Sequence, residues 1–397
     1  MANRKPKRIL YSLGPVDITH AYMNWATGHT DTSHFAITYI QQFYELCKEL
    51  NAKGKVVSCR DKQGYIENED FILEYRPLHY LSAHPLLYHL EQLWSGVGLL
   101  FSALSFKADL LIITQDRTHW FVLCLFPLFG IQVIPSLHCT LWPVHQERKK
   151  SQRILHALDR FFFQSFCLGI CTVSDEIRQQ IQIVTQGKNR PIRVFIPSYR
   201  KKIFEDMPAA DIAQQPFNIV FVGRVEAAKG VYILLEVAKQ LRAKGYEDFV
   251  FHICGTGSHL DSLSGAVEQL GLARNFVCHG YCNQETLKQI YAQSHVVIVP
   301  TTTEFVEGFN KVVLEGVLCG RPVVTSSACP SLSVVKEAAV EATPDSAEDY
   351  YRAVVQLMTD KELYEAKRAQ ALVLREKLLA HGASWKAKVR SLITERT

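Results

Sequence analysis

Two cations and two carboxylates in the second half of this 397-residue chain stand where side chains can meet a ligand. Arg224 and Lys229 flank the short loop of Val222-Gly-Arg-Val-Glu-Ala-Ala-Lys-Gly230, between an apolar run and a helical one. A planar guanidinium fork beside a mobile ammonium suits a diphosphate. The alternative is a solvated turn with two surface cations. Glu307 and Glu315 bracket the start of the apolar helix that follows His295-Val-Val-Ile-Val-Pro300. A carboxylate at a helix start complements the helix dipole. That does not account for Glu315, about two turns along an otherwise apolar helix.

The elements that must position these residues are strands followed by helices. Residues 217–222, 248–254, 276–279 and 295–300 read as short apolar strands of the buried parallel kind. Helical spacing follows each, at 230–244, 259–270, 284–293 and 309–318, and Gly320-Arg-Pro322 stops the last. A strand at 322–325 and two helices, at about 346–358 and from 361 to the end, complete this half. Three strands end in glycine loops: at Gly223, at Gly255-Thr-Gly257 and at Gly280-Tyr281. A fourth ends in the Glu307 loop. In an open α/β sheet these loops share one edge, where nucleotide sites form. Glycine lets backbone approach a ligand, and a helix start offers free N–H groups to an anion.

The first half repeats the alternation. Strands are expected at 8–13, 55–58, 71–73, 108–113, 132–138, 169–173 and 192–196. The first closes on Gly14-Pro15, and a loop carrying Asp17, His20, Trp25 and Asp31 follows. Ser33 is expected to cap a helix running to Leu50. The turn 114–118 precedes a helix to about Phe129, and His138 ends the next strand. His138 at a carboxyl strand end suits a functional role, although a strand-end histidine can also be a hydrogen-bonded structural residue. Asp116 and His119 are weaker candidates for the same cleft, and Gly14 and Asp17 for its acceptor side.

A chain of this length exceeds one compact core. The expected organisation is an α/β fold of two doubly wound, Rossmann-like domains facing across a cleft. The first domain spans 1–200, a linker 201–216 and the second domain 217–375. The closing segment 376–397 is expected to pack back toward the first domain. Hydrophobic content of 48% and charged content of 21% exclude wholesale disorder. The net charge of +5 suits anionic ligands or an anionic membrane face and is too small to argue for nucleic acid. The eleven cysteines are scattered without a Cys-x-x-Cys pair, which reads as buried free thiols in a reducing cytosol. The apolar stretch 85–106 is interrupted by His89, Glu91 and Gln92, and the stretch 120–134 by Pro127 and Gly130. Neither reads as a spanning helix, and peripheral membrane contact stays open.

Together, Val222-Gly-Arg-x4-Lys-Gly230, Gly255-x-Gly257, the strand end at Gly280, Glu307-x7-Glu315 and Gly320-x-Pro322-Val resemble the donor domain of retaining glycosyltransferases of family 4. That family has the GT-B architecture. The resemblance implies that Arg224 and Lys229 bind the donor diphosphate, Glu307 lies at the donor sugar, and Glu315 binds the ribose hydroxyls. It places amides near Phe309, Asn310 and Lys311 on phosphate or sugar. Asn310 departs from the family, which usually has glycine there. Asn tolerates left-handed backbone, so the turn is expected to survive with an altered sugar pocket. In the first half, His138 matches the family's histidine near the reacting sugar carbon, and Thr172-Val-Ser174-Asp-Glu176 resembles its strand–Ser–Glu step.

The implied enzyme is a hexosyltransferase moving a sugar from a UDP- or GDP-sugar to an acceptor hydroxyl, with retention. The acceptor is expected to be a saccharide, a lipid or a small aglycone, in polysaccharide, glycolipid or small-molecule glycoside synthesis. No cofactor and no metal are expected, since no Asp-x-Asp motif is placed to hold a divalent ion. Nucleic acid is not an expected partner, and the expected location is the cytoplasm, with the inner membrane face left open. Alternatives on the same architecture are a phosphorylase using free phosphate, a nucleotide-sugar epimerase, and a sugar-nucleotide-binding protein without turnover.

Overall fold

The computed structural model describes residues 7–29, 35–77, 85–115, 117–380 and 382–395. Asp31, Ser33 and Asp116 lie outside the described residues. The strands of the first half are β1 (Arg8–Leu13), β2 (Lys53–Ser58), β3 (Tyr65–Glu67), β4 (Phe71–Tyr75), β5 (Leu110–Thr114), β6 (Gln132–Leu137), β7 (Ile170–Thr172) and β8 (Ile192–Val194). Among the described residues they form one sheet in the order β3-β4-β2-β1-β5-β6-β7-β8. Only β3 runs antiparallel, as a hairpin with β4. The second half contributes β9 (Phe217–Val222), β10 (Phe249–Cys254), β11 (Phe276–Gly280), β12 (Val296–Val299), β13 (Val323–Ser326) and β14 (Ala339–Ala342). Their order is β11-β10-β9-β12-β13-β14, all parallel. Strand β14 was not expected from the sequence: Ala-Val-Glu-Ala carries little of the β-branched bias that marks the others.

In each sheet the chain reverses its direction of travel once, between β1 and β5 and between β9 and β12. Crevices for ligands open outside the carboxyl ends of the strands at such points. Gly14 follows β1 and Gln115 follows β5. Gly223 follows β9, and the loop to Glu307 follows β12.

The helices are α1 (Ile18–Ala26), α2 (Tyr39–Leu50), α3 (Pro85–Phe106), α4 (Lys150–Phe161), α5 (Asp175–Thr185), α6 (Val231–Ala243), α7 (Leu260–Gln269), α8 (Gln284–Gln293), α9 (Lys311–Leu318), α10 (Leu332–Val335), α11 (Ala347–Thr359), α12 (Lys361–Leu379) and α13 (Trp385–Thr394). Three sequence expectations need correction. The stretch after Asp17 is helix α1, because the Asp17 carboxylate caps it by accepting the His20 amide at 3.1 Å. Helix α2 is capped by Thr38 and not by Ser33. Trp120–Phe129 winds as a 3-10 helix with Pro127 inside it. Proline cannot donate the interior bond that an α-helix needs.

The C-terminal stretch also breaks in two, and Ser384 caps the second piece by accepting the Ala387 amide. Helix α12 packs on α9 of the second domain, whereas α13 packs on α2 of the first. The Lys386 ammonium there binds Glu45 and Glu49 at 2.8 and 2.7 Å. One continuous hydrophobic cluster runs from β1, β5 and β6 through Tyr199 and Tyr291 into α9 and α13, so both domains share apolar packing.

Candidate active site

The donor side is built on the carboxyl ends of β9 to β12. Loop 223–230 ends at Gly230, which takes a left-handed φ of +78° and lies against the Pro300 carbonyl. A side chain there would overlap that carbonyl, so glycine lets the β9 and β12 loops close on each other. The approach brings Lys229 to Glu307: its ammonium donates to Glu307 Oε2 at 2.6 Å, with both side chains about one-tenth exposed. Lys229 Nζ also stands 3.7 Å from the centroid of the Phe305 ring, and the Arg224 guanidinium 5.7 Å from it. Phe305 thus holds both cations by their attraction to its ring face. The sequence did not single it out, since one aromatic in a polar loop carries no periodic signal.

Gly255 and Gly257 stand where the loop after β10 meets the loop after β9. A Cβ on Gly255 would fall 1.8 Å from the Gly223 carbonyl oxygen, and one on Gly257 2.3 Å from that of Val225. They let two neighbouring loops pack backbone to backbone. Gly280 has φ +66°, and Tyr281 beside it is exposed.

Helix α9 starts at the centre of the cleft. Asn310 is not left-handed: its φ of −84° and ψ of 111° are extended, and it is the N-cap. Its side-chain oxygen accepts the Val312 amide at 3.0 Å, and its amide nitrogen donates to Glu307 Oε2 at 3.4 Å. Asn is a strong N-cap, so the residue serves the helix start where glycine would leave the amide open. Within α9, Glu315 is buried and accepts the Tyr291 hydroxyl at 3.2 Å. Burial raises its carboxyl to about 7, against the pull of Lys311 and Tyr291. Lys311 is lowered by its own burial, opposed by Glu315.

Across the cleft, His138 lies at the end of β6 in contact with the donor loop. A Cβ on Gly308 would fall 1.9 Å from the His138 carbonyl oxygen, so glycine lets the domains touch there. The Gln115 side chain fixes this corner, accepting the His138 and Cys139 amides at 2.7 and 2.6 Å. His138 Nε2 is 3.0 Å from Ser136 Oγ, which in turn accepts the indole N–H of Trp385 at 2.9 Å. Trp can only donate, so Ser136 Oγ accepts there, and its second lone pair and its proton both stay available to Nε2, a bond that suits either ring tautomer. Burial, with the Lys311 charge nearby, lowers His138 to about 3, which keeps the ring neutral.

A cavity of about 660 Å³ opens beside it, lined on one side by Gly14, Asp17, Tyr39 and Gln115 and on the other by Phe309 and Lys311. Gly14 and Asp17 therefore stand at the same cavity as His138. Burial pushes the Asp17 carboxyl up, but hydrogen bonds from Tyr75, the His20 amide and Lys62 outweigh this and hold it well below the usual range. His119 is not part of this wall. It is buried against His89, with Nε2 3.0 Å from His89 Nδ1, and lines a smaller cavity behind Gln115. Its turn points the amide of Gln115, a less conspicuous residue, into the cleft region instead.

The comparisons with known proteins bear on the second half and on the fold. Residues 202–373 match the family described as Glycosyl transferases group 1. The solved structures that superpose on the chain share its GT-B fold. Sucrose-phosphate synthase from Thermosynechococcus elongatus superposes with a TM-score of 0.71 at 15% identity, covering 97% of each chain. HepE of Anabaena, in complex with UDP, superposes with a TM-score of 0.60 at 15% identity, over 94% of this chain and 95% of that one. Among curated relatives, an uncharacterized glycosyltransferase of Methanocaldococcus jannaschii is 27% identical over 167 residues, 42% of this chain and 41% of that protein. The match thus spans less than half of that relative's length.

Proposed function

We propose that the protein is a retaining glycosyltransferase of family 4 that moves a sugar from a nucleoside diphosphate sugar to an acceptor hydroxyl. The observation that carries the reading is the Lys229–Glu307 pair, set beside Arg224 at the switch point of the second sheet. It faces the neutral His138 across the Gly308 contact. A diphosphate leaving group needs fixed positive charge where negative charge grows. Arg224, Lys229 and the start of α9 supply it. Glu307 then takes the sugar hydroxyls and Glu315 the ribose hydroxyls. Retention follows from attack on the face that the diphosphate leaves: the acceptor oxygen bonds to the anomeric carbon as the bond to the β-phosphate oxygen breaks. The departing phosphate takes the acceptor proton. His138 holds a sugar hydroxyl in this scheme.

HepE in complex with UDP favours a uridine donor, since it shares the fold and is reported with that nucleotide. The Glycosyl transferases group 1 match favours transfer over binding alone. The test is a thermal-shift screen of UDP, GDP and their sugars, followed by proton NMR of the product formed from the stabilising donor. An α-sugar donor giving an α-glycoside supports the reading, and inversion at that carbon overturns it. Two cations and a helix start already serve the diphosphate, so EDTA should leave turnover unchanged. Loss restored by added divalent ion would refute that part.

A further inference from the structure

Helix α3 is apolar on two opposite faces. Gln92, Gly96, Leu99, Ala103 and Phe106 are buried toward the sheet, and a Cβ on Gly96 would fall 2.4 Å from Thr118 Oγ1. The other face carries apolar residues at positions 87, 90, 94, 101 and 104, helical spacings of three, four, seven and three that place them in one stripe. This face is open: Trp94 is 78% and Phe101 68% exposed. A helix apolar all round is normally buried in protein or in lipid.

The stripe does not stand alone. Helix α3, the 3-10 helix 120–129 and helix α4 precede or connect strands that advance in one direction across the first sheet. Right-handed crossovers put such segments on one face of a sheet, and the three do pack side by side. The 3-10 helix adds Leu128, 72% exposed, and Phe129. Helix α4 adds Ile154, Leu158 and Phe161, one exposed edge at i, i+4 and i+7. Exposed apolar side chains from three adjacent elements exceed the single scattered residues of an ordinary surface.

The charge around the patch is basic. Lys149 and Lys150 at the start of α4 are exposed and make no ion pair among the described residues. Arg148 lies over Trp142 at 4.8 Å, and Arg153 pairs with the exposed Glu147. The one carboxylate on α4, Asp159, is buried and turned inward onto the Phe121 amide. Two occupants could cover such an apolar face, a second copy of the chain or a membrane. In a two-fold interface the same patch meets itself. That would bring the unpaired lysines of one copy toward those of the other. An anionic bilayer meets both the apolar and the basic residues with complementary partners. Among the described residues no helix is long and apolar enough to cross a membrane, so the patch would lie on the surface.

We propose that the face formed by α3, the 3-10 helix 120–129 and α4 docks the protein on an anionic phospholipid bilayer, with Trp94, Phe101 and Leu128 in the acyl–headgroup boundary and Lys149 and Lys150 on lipid phosphates. The test is flotation of the full chain with phosphatidylcholine vesicles and with vesicles in which about a third of the lipid is phosphatidylglycerol. Wild-type protein floats with the anionic vesicles and less with the neutral ones. The double substitution Trp94→Glu/Phe101→Glu lowers vesicle binding at least about tenfold. Lys149→Ala/Lys150→Ala lowers binding to anionic vesicles on the order of thirtyfold and leaves the weak neutral binding as it was. Val373→Glu, at an exposed apolar position on α12, changes neither. All these positions are solvent-facing, and an unchanged UDP thermal shift in each variant confirms an intact donor side. Absence of flotation overturns the proposal, as does flotation that the Trp94/Phe101 pair does not alter. It is also overturned if the pair abolishes dimerisation in sedimentation while wild type binds no vesicle.

Discussion

The Lys229–Glu307 pair predicts that removing the carboxylate separates binding from transfer. The Lys229 ammonium is satisfied by Glu307 Oε2 at 2.6 Å. A diphosphate must win Lys229 from Glu307, so the carboxylate opposes nucleotide binding while it serves the sugar. The pair is about one-tenth exposed, between the solvated pairs worth up to about 1 kcal/mol and the buried pairs whose disruption costs about 3–5 kcal/mol. About 1–2 kcal/mol of competition is the reasonable magnitude, on the order of tenfold in a dissociation constant. Glu307→Gln keeps the shape and one hydrogen bond but removes the charge. UDP, or GDP if that is the stabilising base, should then bind about tenfold tighter by titration calorimetry. Transfer in single-turnover assays should fall by about two to three orders of magnitude, as for loss of one group aimed at the reacting centre. Lys229→Ala should weaken the nucleotide and abolish transfer together. If Glu307→Gln weakens the nucleoside diphosphate as much as Lys229→Ala does, Glu307 is not the competitor described here, and the division of roles between the two residues is wrong.

Three further outcomes follow from the same geometry. Gly308→Ala would place a methyl 1.9 Å from the His138 carbonyl oxygen, so it should reduce transfer at least about tenfold while nucleoside diphosphate affinity stays within about threefold, measured by calorimetry beside turnover. Burial raises Glu315 to about 7, so the folded chain holds that proton more tightly than the unfolded chain does. The resulting penalty is absent below the ordinary carboxylate range, grows from there to about pH 7 and is complete above it. Glu315→Gln should therefore add about 2–3 kcal/mol of stability at about pH 8 and almost none at about pH 4 in urea unfolding, while weakening nucleotide binding. Ser136→Ala leaves the Trp385 N–H without its buried acceptor and His138 Nε2 without its hydrogen-bond partner, and should cost about 1–3 kcal/mol in unfolding. It should also lower kcat more than it raises KM, a split that a purely structural loss would not produce.

The fold was legible because both halves alternate apolar strands with helical spacing, and because their glycine-ended strands must share an edge. The charges of the candidate site were legible for a related reason. Charges such as Arg224, Lys229 and Glu307 stand out against apolar strands, and loops at carboxyl strand ends have few other tasks. What the sequence hid is where backbone meets backbone. Gly255 and Gly257 drew notice as candidate ligand contacts, and their side-chain positions also lie against the backbone of Gly223 and Val225. Gly308 attracted no notice, although it is where the second domain touches His138. Gln115 and Ser136 were hidden by chemistry, since an amide and a hydroxyl do not draw the eye as Asp116 and His119 do. Trp385 stands 249 residues from Ser136, a separation that no local pattern spans.

The candidate site pairs its charges from within. Lys229 is paired with Glu307, and the exposed Lys311 at the start of α9 places its charge near the buried Glu315 and near His138. Each cation–carboxylate set holds groups that a nucleotide sugar would call on separately, phosphate for the cations and hydroxyls for the carboxylates. A ligand with only one half leaves one member of a set without a partner in a poorly hydrated cleft, where a lone charge is costly. A donor carrying diphosphate, ribose and sugar satisfies both members at once. On the proposed reading the site would therefore discriminate for the intact donor through the charges it would otherwise strand. By the same reasoning, free inorganic phosphate is a poor ligand here: it could occupy Lys229 but would leave Glu307 buried and unpaired. That sets this geometry against a phosphorylase, for which free phosphate would have to be the better partner.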